Sequence, residues 1–346
     1  MDRPLAYSSP FAVYLEVTNA CNLHCSHCYA SASSEENEKL LNLQEIFSII
    51  DTLDSMDVIA VTLTGGEPFL RKDILKIASY ASQKGMRVYL TTNGTEINEA
   101  TIKELKDNGI GRITVSIEGI TEHTNDMVRG KGNFRRTIEG LKLLLQHEMD
   151  VEVEITLTRH NIEEISPLIQ FCKDKGVSGV QINRLVNIGK GSSLQRYTRE
   201  DCRKIGCLIS EISKKYGDYI NPNSSLKLCS VITGKCSDDM IESIHCGAGF
   251  TICGILWNGD VVPCLLMRDI VFGNIRDLPL SEVWNSSPAL KAYRSAFEDT
   301  KVKSVIPCNS CSYNDFCGRG CRAQAYKIYG TFTSPDPICE TWRRTE

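Results

Sequence analysis

No run of 18 consecutive apolar residues occurs in the 346-residue chain, so the sequence offers no hydrophobic membrane-spanning helix. The opening segment lacks the apolar stretch of a secretory signal, and the chain is expected to work in a reducing cytoplasm. An excess of positive charge is also missing. Lys and Arg number 39 against 43 Asp and Glu, a formal charge of −4, which leaves no bulk cationic surface to argue for nucleic acid. Internal repeats and low-complexity tracts are absent, and 42% hydrophobic with 24% charged residues is ordinary globular composition. Cysteine is the exception. Sixteen residues are far more than a chain with its own sizeable core needs for disulfides, and in a reducing compartment they point to metal.

Short β-type runs alternate with helical patterns from residue 11 onwards. Strands are predicted over 11–17, 58–63, 87–91, 112–117, 151–157 and 180–184, and helices over 43–53, 74–84, 99–108, 135–146 and 162–175. Helix-to-strand turns are marked by Gly85, Gly109 and Gly176. Such a βα rhythm predicts a partial (β/α)6 barrel of α/β class, with its site at the C-terminal strand ends. Past residue 190 the pattern changes. A helix over 196–217 and a polar insert lead into a glycine- and cysteine-rich region from Cys246, where Asn258-Gly259 suits the turn of a β-hairpin over 255–262. The division read from this is a barrel over 1–190, a helical linker and insert over 191–245, and a cysteine module over 246–346.

Cys21, Cys25 and Cys28 form C-x3-C-x2-C directly after the first strand. Three thiolates on one loop can hold three irons of a 4Fe-4S cube and leave the fourth open, while zinc would need His24 or His27 as a further ligand. The second strand ends in Gly65-Gly66-Glu67-Pro68, the third in Thr91-Thr92-Asn93-Gly94, and the fourth carries Ser116 and Glu118. Polar groups on successive strand ends outline one pocket. In the module, Cys246, Cys253, Cys264, Cys308, Cys311, Cys317, Cys321 and Cys339 supply eight soft ligands, enough for two 4Fe-4S clusters or for two zinc sites. Of the remaining cysteines, Cys172 is read as core and Cys229-x6-Cys236 as structural. Arg129, Lys131, Arg135 and Arg136 form a local basic patch, read as a solvated turn, with an acidic partner as the sharper alternative.

Residues 11–190 resemble the radical S-adenosylmethionine enzymes on the strength of that cysteine triplet and Gly65-Gly66-Glu67-Pro68. The resemblance implies that the open iron takes the amino and carboxylate groups of the methionine moiety. It places Gly65, Gly66, Glu67 and Pro68 beside the amino group, Tyr29 next to the cluster loop on the cofactor, and Asn93, Ser116 and Arg184 near the carboxylate and ribose. Residues 246–341 are similar to the SPASM extension of such enzymes. By that likeness Cys246, Cys253, Cys264 and Cys321 hold the inner auxiliary cluster, and Cys308, Cys311, Cys317 and Cys339 the outer one, with electron transfer as their role. Three 4Fe-4S clusters and S-adenosylmethionine are the implied cofactors, and a flavodoxin- or ferredoxin-like protein the implied donor.

The chemistry implied is reductive cleavage to a 5′-deoxyadenosyl radical that takes a substrate hydrogen. Enzymes of this domain pair often modify ribosomally made peptides, so a precursor peptide or protein is the first expected substrate. The tail, Cys317-Gly318-Arg319-Gly320-Cys321 with Asp336-Pro337-Ile338-Cys339, also resembles haem and haem d1 biosynthesis enzymes, which makes a tetrapyrrole the alternative. A non-enzymatic metal-binding interaction protein is the reading from another class, and it would not need Gly65-Gly66-Glu67-Pro68 beside an incomplete three-cysteine site.

Overall fold

Alternation along the first strand sets the architecture. In β1 (Ala12–Thr18), Val13, Leu15 and Val17 are fully buried in the main apolar core, which turns Tyr14 and Glu16 to the opposite face. The same period recurs in β2 (Ala60–Gly65), β3 (Arg87–Thr92), β4 (Arg112–Ser116), β5 (Asp150–Leu157) and β6 (Gly179–Arg184). These strands pair in parallel and in sequence order. The chain is described here from a computed structural model, covering residues 7–108, 110, 112–232, 246–297, 308–311 and 319–339.

Helices α1 (Leu43–Ser55), α2 (Ile74–Gln83), α3 (Glu99–Asp107), α4 (Glu122–Arg129), α5 (Asn133–Gln146) and α6 (Ile165–Asp174) carry the crossovers. Each apolar stripe faces the outward side of the sheet. Helix α1 buries Ile46, Ile49, Ile50 and Leu53, and begins at a reciprocal cap in which Glu45 N donates to Asn42 Oδ1 (3.0 Å) and Asn42 N to Glu45 Oε2 (2.7 Å). Among the described residues no helix is long and apolar enough to cross a membrane.

Three features depart from the sequence reading. Helix α4 was not predicted because its hidden face is polar: Thr124, Asn125 and Arg129 are buried along with Val128. The 191–245 segment supplies not only α7 (Arg199–Tyr216) and α8 (Ser224–Ile232) but also β7 (Ile220–Pro222), a seventh parallel strand beside β6. The hairpin of the cysteine module is part of the barrel sheet. Its strand β8 (Ile252–Ile255) pairs in parallel with β1, and β9 (Asp260–Val262) and β10 (Gly273–Asn274) follow antiparallel, so one ten-stranded sheet runs β10-β9-β8-β1-β2-β3-β4-β5-β6-β7. Among the described residues, helices α9 (Leu280–Ser286), α10 (Pro288–Ser295) and α11 (Arg322–Tyr329) lie in the C-terminal part.

Leu63 is fully buried at the centre of this sheet. Leu63→Ala is expected to lower the unfolding free energy by about 2–5 kcal/mol, measured by chemical denaturation.

Candidate functional site

The loop after β1 carries Cys21, Cys25 and Cys28, and neighbouring segments hold it. Cys21 N donates to Ser33 O (2.7 Å), Ser26 N to Val128 O of α4 (2.8 Å), and Lys190 N to Cys28 O (2.9 Å). Asn22 Nδ2 reaches Thr95 Oγ1 (2.9 Å) and Glu96 Oε1 (2.6 Å) beyond β3. Burial pushes the Cys21 thiol up to about 11 and raises that of Cys25, so these groups ionise only when a cation compensates them.

Gly65 and Gly66 sit against this loop for a steric reason. A Cβ on Gly65, at φ +131°, would stand 2.2 Å from Thr18 O, and one on Gly66 would stand 1.9 Å from Ala20 O. The space left by the missing side chains is therefore filled by the loop's own backbone, with Gly66 N donating to Thr18 O and Glu67 N to Ala20 O, each at 2.8 Å. The Glu67 carboxylate is fully buried and accepts from Thr92 Oγ1 (2.7 Å), Asn93 N (2.7 Å) and Phe69 N (3.2 Å). Burial outweighs those bonds and pushes Glu67 up to about 7. Asn93 Nδ2 in turn donates to Asn22 Oδ1 at 2.9 Å, which ties the end of β3 to the cysteine loop.

Opposite lies a buried ion cluster. Arg129, the last residue of α4, donates to Glu118 Oε1 from Nη2 (2.6 Å) and Nε (3.1 Å), and His27 Nε2 stands 3.3 Å from the same oxygen. Thr156 N donates to Glu118 Oε2 at 2.6 Å. Burial works against the charge on Glu118, but Arg129 and His27 prevail and hold it at about 2. The other His27 nitrogen, Nδ1, is buried with no partner among the described residues. An orphaned imidazole nitrogen next to three thiols that lie within electrostatic reach of one another fits a site built around a further group.

In the C-terminal part, Cys246, Cys264 and Cys321 lie within electrostatic reach of one another. Burial raises both Cys264 and Cys321. Cys308 and Cys311 stand one turn apart, with Cys311 N donating to Cys308 O at 3.1 Å, and Cys339 follows Asp336. Cys317 and Cys236 lie outside the described residues.

Residues 15–172 match the model of the radical SAM superfamily, and residues 246–312 that of SPASM, an iron-sulfur cluster-binding domain. The Fe-coproporphyrin III synthase of Methanosarcina barkeri is 30% identical, over 94% of this chain and 87% of the relative. The chain belongs to the radical SAM superfamily. The mycofactocin maturase MftC of Mycobacterium ulcerans is 28% identical, over 96% of this chain and 88% of its own. The crystal structure of Streptococcus suis SuiB bound to S-adenosylmethionine superposes with a TM-score of 0.78 at 19% identity, over 96% of this chain and 78% of that one, a likeness of fold. This chain is thus a radical SAM enzyme with a SPASM module, a partial α/β barrel whose cofactors are S-adenosylmethionine and iron-sulfur clusters.

Against that family frame, two predicted site residues are not brought to the groups expected for them. Arg184 turns away from the barrel mouth and is committed to Asp336 of the C-terminal part, at 2.8 and 3.2 Å. Cys253 aligns with Val13 in the β1–β8 pairing and shares its burial in the apolar core, where Arg294 is the charge that reaches it. It does not join Cys246, Cys264 and Cys321, because alternation along β8 sends its side chain to the helix side. Tyr29 packs on Leu256, Val262 and Leu265 beneath the cysteine loop, and Ser116 lies nearly buried at the end of β4.

The radical SAM barrel also holds charged residues that the sequence reading missed. Arg129 is 7% exposed and belongs to the site, whereas Arg135 and Arg136 of the same basic run form exposed pairs with Glu122 and Glu96. Glu16 pairs inside the barrel with Nη1 and Nη2 of Arg268, and Asn183 Nδ2 donates to Glu154 Oε1. Glu154 makes no ion pair among the described residues. Burial and the nearby Glu118 push it up to about 7, although Arg129 opposes the shift. A glutamate inside an otherwise apolar strand, as in Leu15-Glu16-Val17 and Val153-Glu154-Ile155, was the available signal.

Gly66→Ala is expected to displace the cysteine loop and cost about four iron atoms per reconstituted chain, counted by iron and sulfide analysis. The Glu154 shift carries a pH signature. With a folded value of about 7 against 4.5 when unfolded, the folded state binds the extra proton, so this stabilisation is complete below 4.5 and is lost as pH rises through 7. Thermal unfolding of wild type should weaken across that window, and Glu154→Gln should flatten the slope.

Proposed function

We propose that this radical SAM/SPASM enzyme modifies a ribosomally synthesised peptide or protein in the cytoplasm, drawing electrons from a flavodoxin- or ferredoxin-like donor. The observation that carries the substrate reading is the barrel lumen. Among the described residues, Arg129 is taken by Glu118 and Arg268 by Glu16, while the Glu154 carboxylate forms no ion pair. A lumen with an acceptor to spare suits a chain of amide N–H donors better than the carboxylates of a porphyrin.

In this reading Cys21, Cys25 and Cys28 hold the radical-generating cluster. Gly65, Gly66, Glu67, Pro68, Asn93, Ser116 and Tyr29 frame S-adenosylmethionine, and Arg129 is added to that set. When bound, the cluster and S-adenosylmethionine supply a 5′-deoxyadenosyl radical. The chain's own part is to position and to exclude. Glu118, ionised across the working pH range, holds Arg129 and His27 at the mouth. Arg268 and Glu16 bring the C-terminal part to the lumen wall, which keeps water from a radical formed inside. Glu154, which titrates near neutrality, can take up or release a proton at its carboxylate oxygen when a substrate is oxidised.

The second reading, a tetrapyrrole substrate, is favoured by the 30% identity to Fe-coproporphyrin III synthase over nearly the whole chain. Anaerobic reconstitution followed by dithionite and S-adenosylmethionine separates the alternatives. The enzyme should form 5′-deoxyadenosine, and Cys25→Ala should reduce this to background. Mass spectrometry of a small peptide encoded beside the gene should then show a mass change. Formation of iron coproporphyrin III from a tetrapyrrole precursor, or loss of carboxyl groups from it, with the peptide unaltered, would replace the peptide reading with the tetrapyrrole one.

A further inference from the structure

Asp336 is completely buried, and four nitrogens from three residues converge on its carboxylate. Arg184 Nη2 donates to Oδ2 (2.8 Å) and Nη1 to Oδ1 (3.2 Å); Cys321 N donates to Oδ2 (2.7 Å) and Ile338 N to Oδ1 (3.0 Å). The Asp336 backbone continues the connection, its N–H donating to Arg319 O (3.0 Å) and its carbonyl accepting from Cys339 N (2.9 Å). Two cysteines of the module, Cys321 and Cys339, thus have their amides fixed by one residue. That residue is anchored in turn on the last position of β6. Gly320, at φ +72°, permits the approach, since a Cβ there would lie 2.6 Å from Asp336 Oδ2.

A buried ion pair is a poor stabiliser, because desolvating both charges cancels most of their attraction and apolar residues of equal size serve as well. The pair therefore calls for a role that apolar residues cannot fill. Its surroundings supply one. The Arg184 charge acts on the Cys321 thiol, on the buried Cys229 thiol and on Tyr197.

We propose that the Arg184–Asp336 pair positions Cys321 as a ligand of the auxiliary iron-sulfur cluster and sets that cluster's electrostatic environment. Asp336 fixes the ligand's backbone, and Arg184 supplies the positive charge beside its thiolate. The inference rests on reading Cys246, Cys264 and Cys321 as ligands of that cluster. One-electron reduction adds negative charge to a cluster, so a neighbouring cation favours the reduced form and a neighbouring carboxylate disfavours it.

The test compares wild type with Arg184→Met and Asp336→Asn, each reconstituted as the full chain, by iron analysis and by dithionite potentiometry followed by EPR. Wild type should hold iron beyond the about four atoms of the N-terminal cluster. The midpoint of one auxiliary signal should move down in Arg184→Met and up in Asp336→Asn, with the N-terminal cluster signal unmoved. Mere loosening would shift both variants the same way. Equal shifts, or none, at full iron content overturn the inference and leave the ligand assignment standing; wild type with N-terminal iron only overturns both. If either variant is recovered unfolded, Arg184→Lys replaces it, keeping the charge but not the bidentate fork. A near-wild-type potential with an altered EPR line shape then supports the inference, and an unaltered signal overturns it.

Discussion

Three thiols must be presented by a segment that has almost no regular structure of its own, and most of the barrel mouth follows from that constraint. The loop from Cys21 to Cys28 makes few internal hydrogen bonds, so its conformation is imposed from outside. β2 contributes two glycines pressed on its entrance, β3 reaches it through Asn93 and Asn22, and α4 accepts from Ser26 through the Val128 carbonyl. The segment after β6 closes over Cys28. The glycines of Gly65-Gly66-Glu67-Pro68 serve this scaffold before any ligand arrives. A Cβ at either position would collide with backbone, which cannot move aside as a flexible side chain can.

Electrostatics complete the arrangement. Glu118 and Glu67 are both fully buried carboxylates, yet they are driven to opposite protonation behaviour. Glu118 has a guanidinium and an imidazole on one oxygen and stays ionised. Glu67 has neutral donors alone, which do not repay its desolvation, and it is pushed up to about 7. The pair shows how one barrel mouth can keep a fixed negative charge and a titratable one, each within electrostatic reach of the same cysteine loop.

The parts of the molecule legible in its sequence are those governed by period and spacing. Strand alternation and helical stripes gave the six-stranded barrel core with boundaries shifted by a residue or two, and cysteine spacing located both metal-binding regions. What could not be read depends on pairing between distant segments. Helix α4 hides because its buried face answers to Glu118 and the cysteine loop, not to an apolar core. Strand β7 has three residues, too few to show a period. Arg129 and Arg136 look alike in sequence, and only the fold distinguishes a buried partner from a solvated one. Arg184 shows the converse. Its place at the end of β6 suggested the cofactor, but alternation turns it outward, where Asp336 waits 152 positions along the chain.

That outward turn explains why the barrel and the cysteine module behave as a continuous structure. A sheet that ended at β1 would leave a row of unpaired backbone groups, and β8 covers it in parallel register. Backbone pairing fixes distance but not charge. Two ion pairs between these parts do both: Arg268 joins the module to the buried Glu16 of β1, and Arg184 joins β6 to Asp336, at separate strands of the same barrel. Removing either partner would strand a charge in a low-dielectric interior, so each pair penalises separation of module and barrel more steeply than apolar contact would. In the proposed function, electron transfer between groups held on the two parts requires such constancy, because its rate depends on spacing that a loosely docked domain could not maintain.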